Sequence, residues 1–295
     1  MSCPRAGDHA YRSDRLTTHR VGTSLACTSV LSSNENFCQN FCPSELRWDG
    51  LAGPVFRKTP DPRWSARIAA VAADWWLDEG AHAGFEHLDP EYVAAFDRKS
   101  PTDWSETVEL LSELGVGSQS MVIDLGAGTG TFALAIGPHV GRVVGVDPSL
   151  AMVEVMRARG IEAVQAGFLT YEHDGAPADL VHSRNALHHL PDFWKAVALD
   201  RVARMLRHGG ALILDDLVYS FDPSDADEAI ERWLQNAPTD SERGWTAAEL
   251  AQHVRTEHST FSWLLEPILD RAGFDVTDRW HSESRVYASY ICRRR

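Results

Sequence analysis

The residues best suited to chemistry lie in residues 122–130, where an apolar run, 121–125, leads into a loop with three glycines, Gly126, Gly128 and Gly130. Glycines let a backbone turn sharply and approach a ligand closely. Seventeen residues after Gly130, a second apolar segment ends at Asp147. A carboxylate there is placed to accept hydrogen bonds from both ribose hydroxyls of a nucleoside-type cofactor. The loop and the acid together predict a strand–helix–strand cofactor site.

Asp124 discriminates between two classes of cofactor. A dinucleotide site usually carries G-x-G-x-x-G with a helix N-terminus facing the pyrophosphate, whereas here the third glycine follows the second after one residue. The charge of Asp124 would repel a pyrophosphate and attract an ammonium group. The sequence therefore favours S-adenosylmethionine, which has an ammonium and a sulfonium and no phosphate, and a nicotinamide oxidoreductase is a distant alternative.

Two histidines, His188 and His189, follow the fourth predicted strand at the edge where α/β sheets bind ligands. A displacement at the sulfonium of that cofactor requires in-line alignment of the nucleophile, the carbon under attack and sulfur. Some acceptors also need a general base, and we choose His188 for that role. The alternative is that the pair only shapes its loop. Asp215 and Asp216, which end the fifth strand, are candidates for orienting a substrate or are solvated loop acids.

The elements that must position these residues alternate between strands and helices from residue 120 onward. The predicted strands are 121–125, 142–146, 161–166, 179–183 and 211–217, with a closing pair at 274–280 and 285–292. The predicted helices between them are 131–136, 149–159 and 192–206. This alternation predicts an α/β fold, a doubly wound and mostly parallel sheet with helices on both faces.

The chain divides into three predicted parts. Residues 1–60 are rich in Ser, Thr, Asn and Gly and predict a disordered extension. Residues 61–118 predict a helical lid, in which a stripe of Trp64, Ile68, Val71 and Trp75 ends at Gly80 and is followed by a segment at 90–99 and a helix at 103–114. Residues 119–295 form the third part, with a helical insertion at 221–258.

Four motifs resemble one family. They are VIDLGAGTG, VVGVDPS, HSRNALHHLPDFWKAV and MLRHGGALIL. They resemble the class I S-adenosylmethionine-dependent methyltransferases, over roughly residues 85–295, and the last two are typical of the branch that acts on small molecules. The resemblance implies a Rossmann-like, seven-stranded sheet in the order 3-2-1-4-5-7-6, with strand seven antiparallel.

The resemblance also implies roles for individual residues. The implied cofactor-binding residues are Asp124, Gly126, Ala127, Gly128, Thr129, Gly130, Asp147, Pro148, Met152, Gly167, Phe168 and Asn185. Asp124 lies near the amino group, Met152 covers the adenine, and Asn185 flanks the cofactor. Many members bind the adenine amine with an acid after strand three, and this chain has none at residues 165–168. We expect Gly167 and Phe168 to hold the ring by backbone contact and stacking instead.

Composition excludes several classes. The net charge is −14, and residues 61–295 alone carry −16, so a nucleic-acid substrate is disfavoured. No apolar run is long enough to span a membrane and no secretory signal is evident, so we expect a cytoplasmic enzyme. Four of the five cysteines lie within residues 1–42 and do not form the pattern of a disulfide scaffold.

We predict no metal site. Cys38 and Cys42 are not spaced like a C-x2-C pair, and His253 and His258, near Glu257, do not share a helix face.

The tryptophans suggest the nature of the methyl acceptor. Most lie in the lid (Trp64, Trp75, Trp76, Trp104) or in and just after the insertion (Trp233, Trp245, Trp263). These two segments usually cover the substrate in the family that the chain resembles. We expect an aromatic-lined pocket and a small apolar or aromatic acceptor, although plain packing would also explain any one tryptophan. The sequence is also compatible with a protein substrate, a non-methylating outcome, or a non-catalytic or regulatory module.

Overall fold

A computed structural model describes residues 75–84, 87 and 89–295. Its centre is one seven-stranded sheet. The strands are β1 Met121–Leu125, β2 Arg142–Asp147, β3 Glu162–Gln165, β4 Ala178–Arg184, β5 Leu206–Asp216, β6 Phe274–His281 and β7 Ala288–Arg294. Their order is β3-β2-β1-β4-β5-β7-β6. Strand β7 is antiparallel to β5 and β6, and the other neighbours are parallel. The predicted sheet and strand order are confirmed.

Helices cover both faces of this sheet. They are α1 Glu79–His82, α2 Pro90–Lys99, α3 Ser105–Glu113, α4 Thr131–Ile136, α5 Leu150–Ala158, α6 Asp192–Met205, α7 Ala226–Gln235, α8 Ala247–Thr256 and α9 Ser262–Ala272. Two short strands, Val218–Tyr219 and Thr260–Phe261, pair with each other outside the main sheet. Within the described part of the chain, no helix combines the length and apolar character needed to cross a membrane.

The central strands are apolar on both sides because both sides are covered. Ile123 and Leu125 of β1 belong to the larger core, which includes the buried face of α6. Val122 belongs to a second core, with Phe132 of α4 and Leu111 of α3. Strand β1 therefore lies between two apolar layers, and its carboxyl end is held rigidly where the glycine loop begins.

The lid differs from its prediction at one point. Gly80 does not end a long helix; it lies within the short helix α1, whose N-cap Asp78 accepts a hydrogen bond from the Gly80 N–H at 3.0 Å. An Asp at an N-cap satisfies a backbone donor that the first turn leaves unpaired. The predicted extension 1–60 and the stripe at Trp64, Ile68 and Val71 lie outside the described residues.

Two features follow β5. Helices α7 and α8 lie in the predicted insertion and contribute to a third apolar cluster, around Trp233, Tyr219 and Phe221. Helix α9 begins at Ser262 and contains Pro267 in its interior.

Candidate active site

The loop after β1 has a backbone that requires its glycines. Gly126, Gly128 and Gly130 have φ angles of 70°, 55° and 82°, a region that residues with a side chain rarely adopt. A Cβ on Gly126 would lie 2.2 Å from the Cβ of Ala186. The loops that follow β1 and β4 are therefore in direct contact, and the backbone between them has no room for a side chain.

Asp147, at the end of β2, binds two neighbouring loops at once. Its Oδ2 accepts a hydrogen bond from the Gly128 N–H at 2.8 Å, and its Oδ1 accepts one from the Ser149 N–H at 2.9 Å. Burial raises the pKa of Asp147 to about 6. Each carboxylate oxygen can accept a second hydrogen bond, so both remain able to take a hydroxyl.

Asp124 pairs with a residue that the sequence did not single out. Strands β1 and β4 place it opposite His182, and its Oδ1 lies 2.7 Å from His182 Nδ1. The His182 ring stacks on Phe132, with centroids 3.7 Å apart. The other oxygen, Oδ2, is buried and makes no hydrogen bond to any described residue. A buried acceptor without a donor is costly, so a cationic ligand fits this position.

The loop after β3 is closed by a carboxylate from the lid. The Glu79 carboxylate accepts a hydrogen bond from the Leu169 N–H at 2.9 Å. Its atoms would lie within 2.7 Å of a Cβ on Gly167. Phe168 is only 6% exposed and packs in the larger core. The Phe168 ring packs within that core. This packing gives no support to the predicted stacking of Phe168 on an adenine.

The other predicted cofactor residues lie on the same edge. Ala127 donates its N–H to the Val146 oxygen at 3.0 Å, and Asn185, with a φ of 49°, donates its N–H to the Asp215 oxygen at 2.8 Å. The Pro148 oxygen accepts a hydrogen bond from Gln165 at 3.3 Å. The remaining two are Met152, buried in the first turn of α5, and Thr129.

Thr129 connects the glycine loop to the lid. Its hydroxyl donates a hydrogen bond to Asp97 of α2, and its backbone oxygen accepts one from Arg159 at 2.9 Å. Arg159 also forms an ion pair with Asp97 at 2.5 Å. On the next loop, the Ser149 hydroxyl donates to the backbone oxygen of His87 at 2.7 Å. The lid thus contacts the loops after β1, β2 and β3.

His188 forms a buried pair with Asp216, at the ends of neighbouring strands. His188 Nδ1 lies 2.5 Å from Asp216 Oδ1, and the His188 backbone N–H donates to Asp216 Oδ2 at 2.9 Å. Burial lowers the pKa of His188, against the opposing charge of Asp216. Burial alone would raise the pKa of Asp216. The contacts with His188 have the opposite effect, and the pKa of Asp216 is lowered overall. The imidazole is therefore neutral, with Nδ1 fixed toward the carboxylate.

A second acid–histidine pair lies beside the first. His189 Nδ1 is 2.9 Å from Glu257 Oε2, and the His188 and His189 rings are 4.3 Å apart. The possible metal-ligand atoms of His188, His189 and Glu257 lie within 4.8 Å of one another. This set of possible metal ligands differs from the pair weighed in the sequence, His253 and His258.

A series of ring contacts leads from His188 into the insertion. His253 lies 4.9 Å from His188 by ring centroids, and Trp233 contacts both His253 and Tyr287 edge to face. Trp245 lies beneath the Lys99 ammonium, 5.6 Å away.

The remaining tryptophans of the predicted set have different surroundings. Trp75 and Trp76 pack on Trp194, Trp104 packs on Phe132 and His182, Trp263 stacks on Phe261, and Trp64 lies outside the described residues. Only some of the predicted aromatic set therefore lies on the His188 side.

Comparisons with known proteins agree with this arrangement. A family model described as a methyltransferase domain matches residues 122–210. An uncharacterised methyltransferase of Bacillus cereus is 25% identical over 194 residues, covering 65% of this chain and 86% of that protein. The chain is a methyltransferase, and its matched region resembles the class I S-adenosylmethionine-dependent methyltransferases.

Solved structures share the fold of this methyltransferase. An S-adenosylmethionine-dependent methyltransferase from Clostridium acetobutylicum aligns with a TM-score of 0.53 at 14% identity, over 69% of this chain and 98% of that one. Magnesium protoporphyrin IX methyltransferase from Synechocystis, solved with bound S-adenosylhomocysteine, aligns with a TM-score of 0.52 at 14% identity, over 74% and 100%. At 14% sequence identity, these two structures support the fold of this chain.

S-adenosylmethionine is the cofactor of this methyltransferase, and the residues on its sheet edge fit that molecule. The unpartnered Asp124 Oδ2 is a buried anionic acceptor suited to an ammonium. The backbone of the glycine loop and the carboxylate of Asp147 lie on the adjacent strand ends. No phosphate-binding cation lies among the predicted cofactor residues, consistent with a ligand that has no phosphate.

The sequence did not predict His182 or Glu79, nor the pairing of Glu257 with His189 and of Asp216 with His188. The neighbouring strands were implied by the expected order, but the register that pairs Asp124 with His182 was not. Glu79 lies 88 residues before Gly167, and no local pattern connects them.

Proposed function

We propose that this methyltransferase transfers the methyl group of S-adenosylmethionine to a small apolar or aromatic molecule by in-line displacement. The observation that carries the proposal is the Asp216–His188 pair, whose imidazole packs against His253, which in turn contacts Trp233. An acceptor bound against these side chains would be adjacent to a neutral imidazole. Orientation alone contributes about 7–11 kcal/mol to such reactions.

His188 is the general base in this proposal. Asp216 engages Nδ1, so the neutral ring is left with Nε2 as its basic atom, and no described residue forms a hydrogen bond to that nitrogen. Nε2 would take the proton of the acceptor as the methyl group is transferred. A positioned base contributes about 10²–10⁴-fold to the rate.

The cofactor is bound by the predicted residues of the sheet edge. Asp124 receives the ammonium, the backbone of residues 126–130 supports the methionine part, and Asp147 accepts the ribose hydroxyls. Gly128 is tied to Asp147, which would couple the placement of the sulfonium to that of the ribose.

The contact between lid and insertion favours a small acceptor over a macromolecule. Lys99 of α2 forms an ion pair with Glu249 of α8 at 2.5 Å, and the Lys99 side chain is only 10% exposed. This contact joins the lid to the insertion beside the aromatic residues. The acidic chain also disfavours a nucleic-acid acceptor.

The test is a screen of fractionated metabolite extracts with S-adenosylmethionine labelled on its methyl group. We expect label in a small, organic-extractable product. With the acceptor identified, His188→Gln should lower kcat about 10²–10⁴-fold and leave the Kd for S-adenosylhomocysteine unchanged. His139→Gln, an exposed histidine after α4, is the matched control.

Label found only in protein would contradict the small-molecule acceptor. Full activity of His188→Gln would contradict the base assignment.

A further inference from the structure

Glu79 brings a buried carboxylate to the carboxyl end of β3. The residue is 8% exposed, and its Oε2 accepts hydrogen bonds from the Leu169 N–H at 2.9 Å and from the Thr170 hydroxyl at 3.1 Å. Burying a carboxylate is unfavourable unless donors surround it. Burial raises the pKa of Glu79, although these bonds oppose the effect. The Phe168 backbone also donates to this carboxylate, and since each carboxylate oxygen has two acceptor sites, these donors do not use all of them.

The loop is shaped to receive this carboxylate. A Cβ on Gly167 would lie 2.4 Å from Glu79 Oε1 and 2.7 Å from Oε2. Any side chain at position 167 would therefore overlap with the carboxylate. From the other side, Arg201 donates hydrogen bonds to the backbone oxygens of Phe168 at 3.2 Å and of Tyr171 at 2.9 Å. The loop backbone is thus fixed between α6 and the lid.

The order of the strands places this carboxylate along the cofactor. In the proposed function, on which this step depends, the methionine part lies at the loop after β1 and the ribose at Asp147 after β2. Strand β3 is the next and outermost strand on that side. The base of the nucleoside, which extends beyond the ribose, therefore reaches the loop that Glu79 closes.

Adenine presents an exocyclic amine with two N–H donors, and residues 165–168 offer no carboxylate to accept them. Each carboxylate oxygen has two acceptor sites, and the Leu169 and Thr170 donors share Oε2. We propose that Glu79, a lid residue, accepts a hydrogen bond from the adenine amine through Oε1 and makes the site selective for adenine over 6-oxopurines.

The experiment compares two ligands on the full chain by calorimetry: S-adenosylhomocysteine and its deaminated analogue S-inosylhomocysteine. The analogue replaces the amine with a carbonyl oxygen, which would face the carboxylate. We expect the native protein to prefer S-adenosylhomocysteine at least about tenfold, since an unpaired or repelled polar group is costly. Glu79→Gln, whose amide can donate to the carbonyl, should reduce the preference to about twofold or less.

Two further variants sharpen the comparison. Gly167→Ala should displace the carboxylate and reduce the preference in the same way. Glu162→Gln removes an exposed carboxylate on β3 that pairs with Arg142, and should keep the full preference. The melting temperature of each variant shows whether it is folded.

Three results would overturn the proposal: equal weakening of both ligands by Glu79→Gln, no preference in the native protein, or tighter binding of S-adenosylhomocysteine by Glu79→Gln. Asp147→Ala separates this proposal from the cofactor placement. If Asp147→Ala leaves affinity unchanged, the ribose assignment is wrong. If it weakens binding while Glu79→Gln leaves the preference intact, only the role of Glu79 is wrong.

Discussion

Burial determines the protonation state of Asp147, the acid that we propose to bind the ribose. Asp147 has a pKa of about 6, well above the ordinary value for an aspartate, because it is enclosed by the loops it connects. Two backbone N–H groups lower that pKa but do not offset the desolvation. The carboxylate is ionised at neutral pH and becomes protonated in mildly acidic solution.

Cofactor affinity should therefore depend on pH in the range where Asp147 titrates. An ionised acceptor makes a hydrogen bond about twice as strong as a neutral one, so binding of S-adenosylhomocysteine should weaken several-fold as pH falls through about 6. Calorimetry between pH 5 and 7.5 measures this change. Asp147→Asn should bind weakly at every pH, and a flat profile for the native protein would contradict the assignment.

At the scale of single residues, the sequence predicted those that lie in a recognisable local motif. It did not predict the residues that contact them from distant parts of the chain. Asp124 and Asp147 were predicted because each adjoins the glycine loop or ends a strand. Their roles toward the cofactor stay predictions. His182 and Glu79 carry no local signal, because a hydrogen bond across the sheet or from the lid depends on strand register and chain path.

The elements nearest the glycine loop follow the sequence most closely. Strand β1 and helix α4 have the bounds that the pattern predicted, 121–125 and 131–136. An apolar run that ends in glycines leaves little choice of where a strand stops. Strand β5 is different: it begins at Leu206, five residues before its predicted start. The predicted strand starts after Gly209 and Gly210, whereas the structure places both glycines within the strand.

Gly126 gives an element-scale prediction, because two loops meet at its Cα. Gly126→Ala should lower the free energy of unfolding by about 2–5 kcal/mol, combining strain at positive φ with overlap on Ala186. The expected fall in melting temperature is about 2–4 °C for each kcal/mol. Gly117→Ala is the control, because a Cβ there meets no atom within 4 Å. Equal melting temperatures for the two variants would refute the close contact.

At the scale of the whole molecule, contacts between distant segments within the described residues shape the cofactor edge. The Lys99–Glu249 pair connects the lid to the insertion, and Arg159 connects the lid to the glycine loop and α5. The strand order was predictable from the family resemblance. The way the lid meets the insertion was not, because it joins residues 150 positions apart.

A variant that lacks residues 1–58 tests the predicted division of the chain. We expect its Kd for S-adenosylhomocysteine to stay within about twofold of that of the full chain, with an unchanged cooperative melting transition. Both follow if residues 1–60 are an extension without a part in the cofactor site. Loss of folding, or a tenfold weaker Kd, would show that they belong to the folded unit.

The loops after β1, β2 and β3 lie side by side, and each forms a hydrogen bond to the same short stretch of the lid. The lid residues are Asp97, His87 and Glu79, in that order. If the spent nucleoside leaves past that stretch, each catalytic cycle breaks and remakes these contacts, and a higher supply of cofactor does not accelerate that step. Residence time of the spent nucleoside, rather than the bond-making event, becomes the natural limit on turnover.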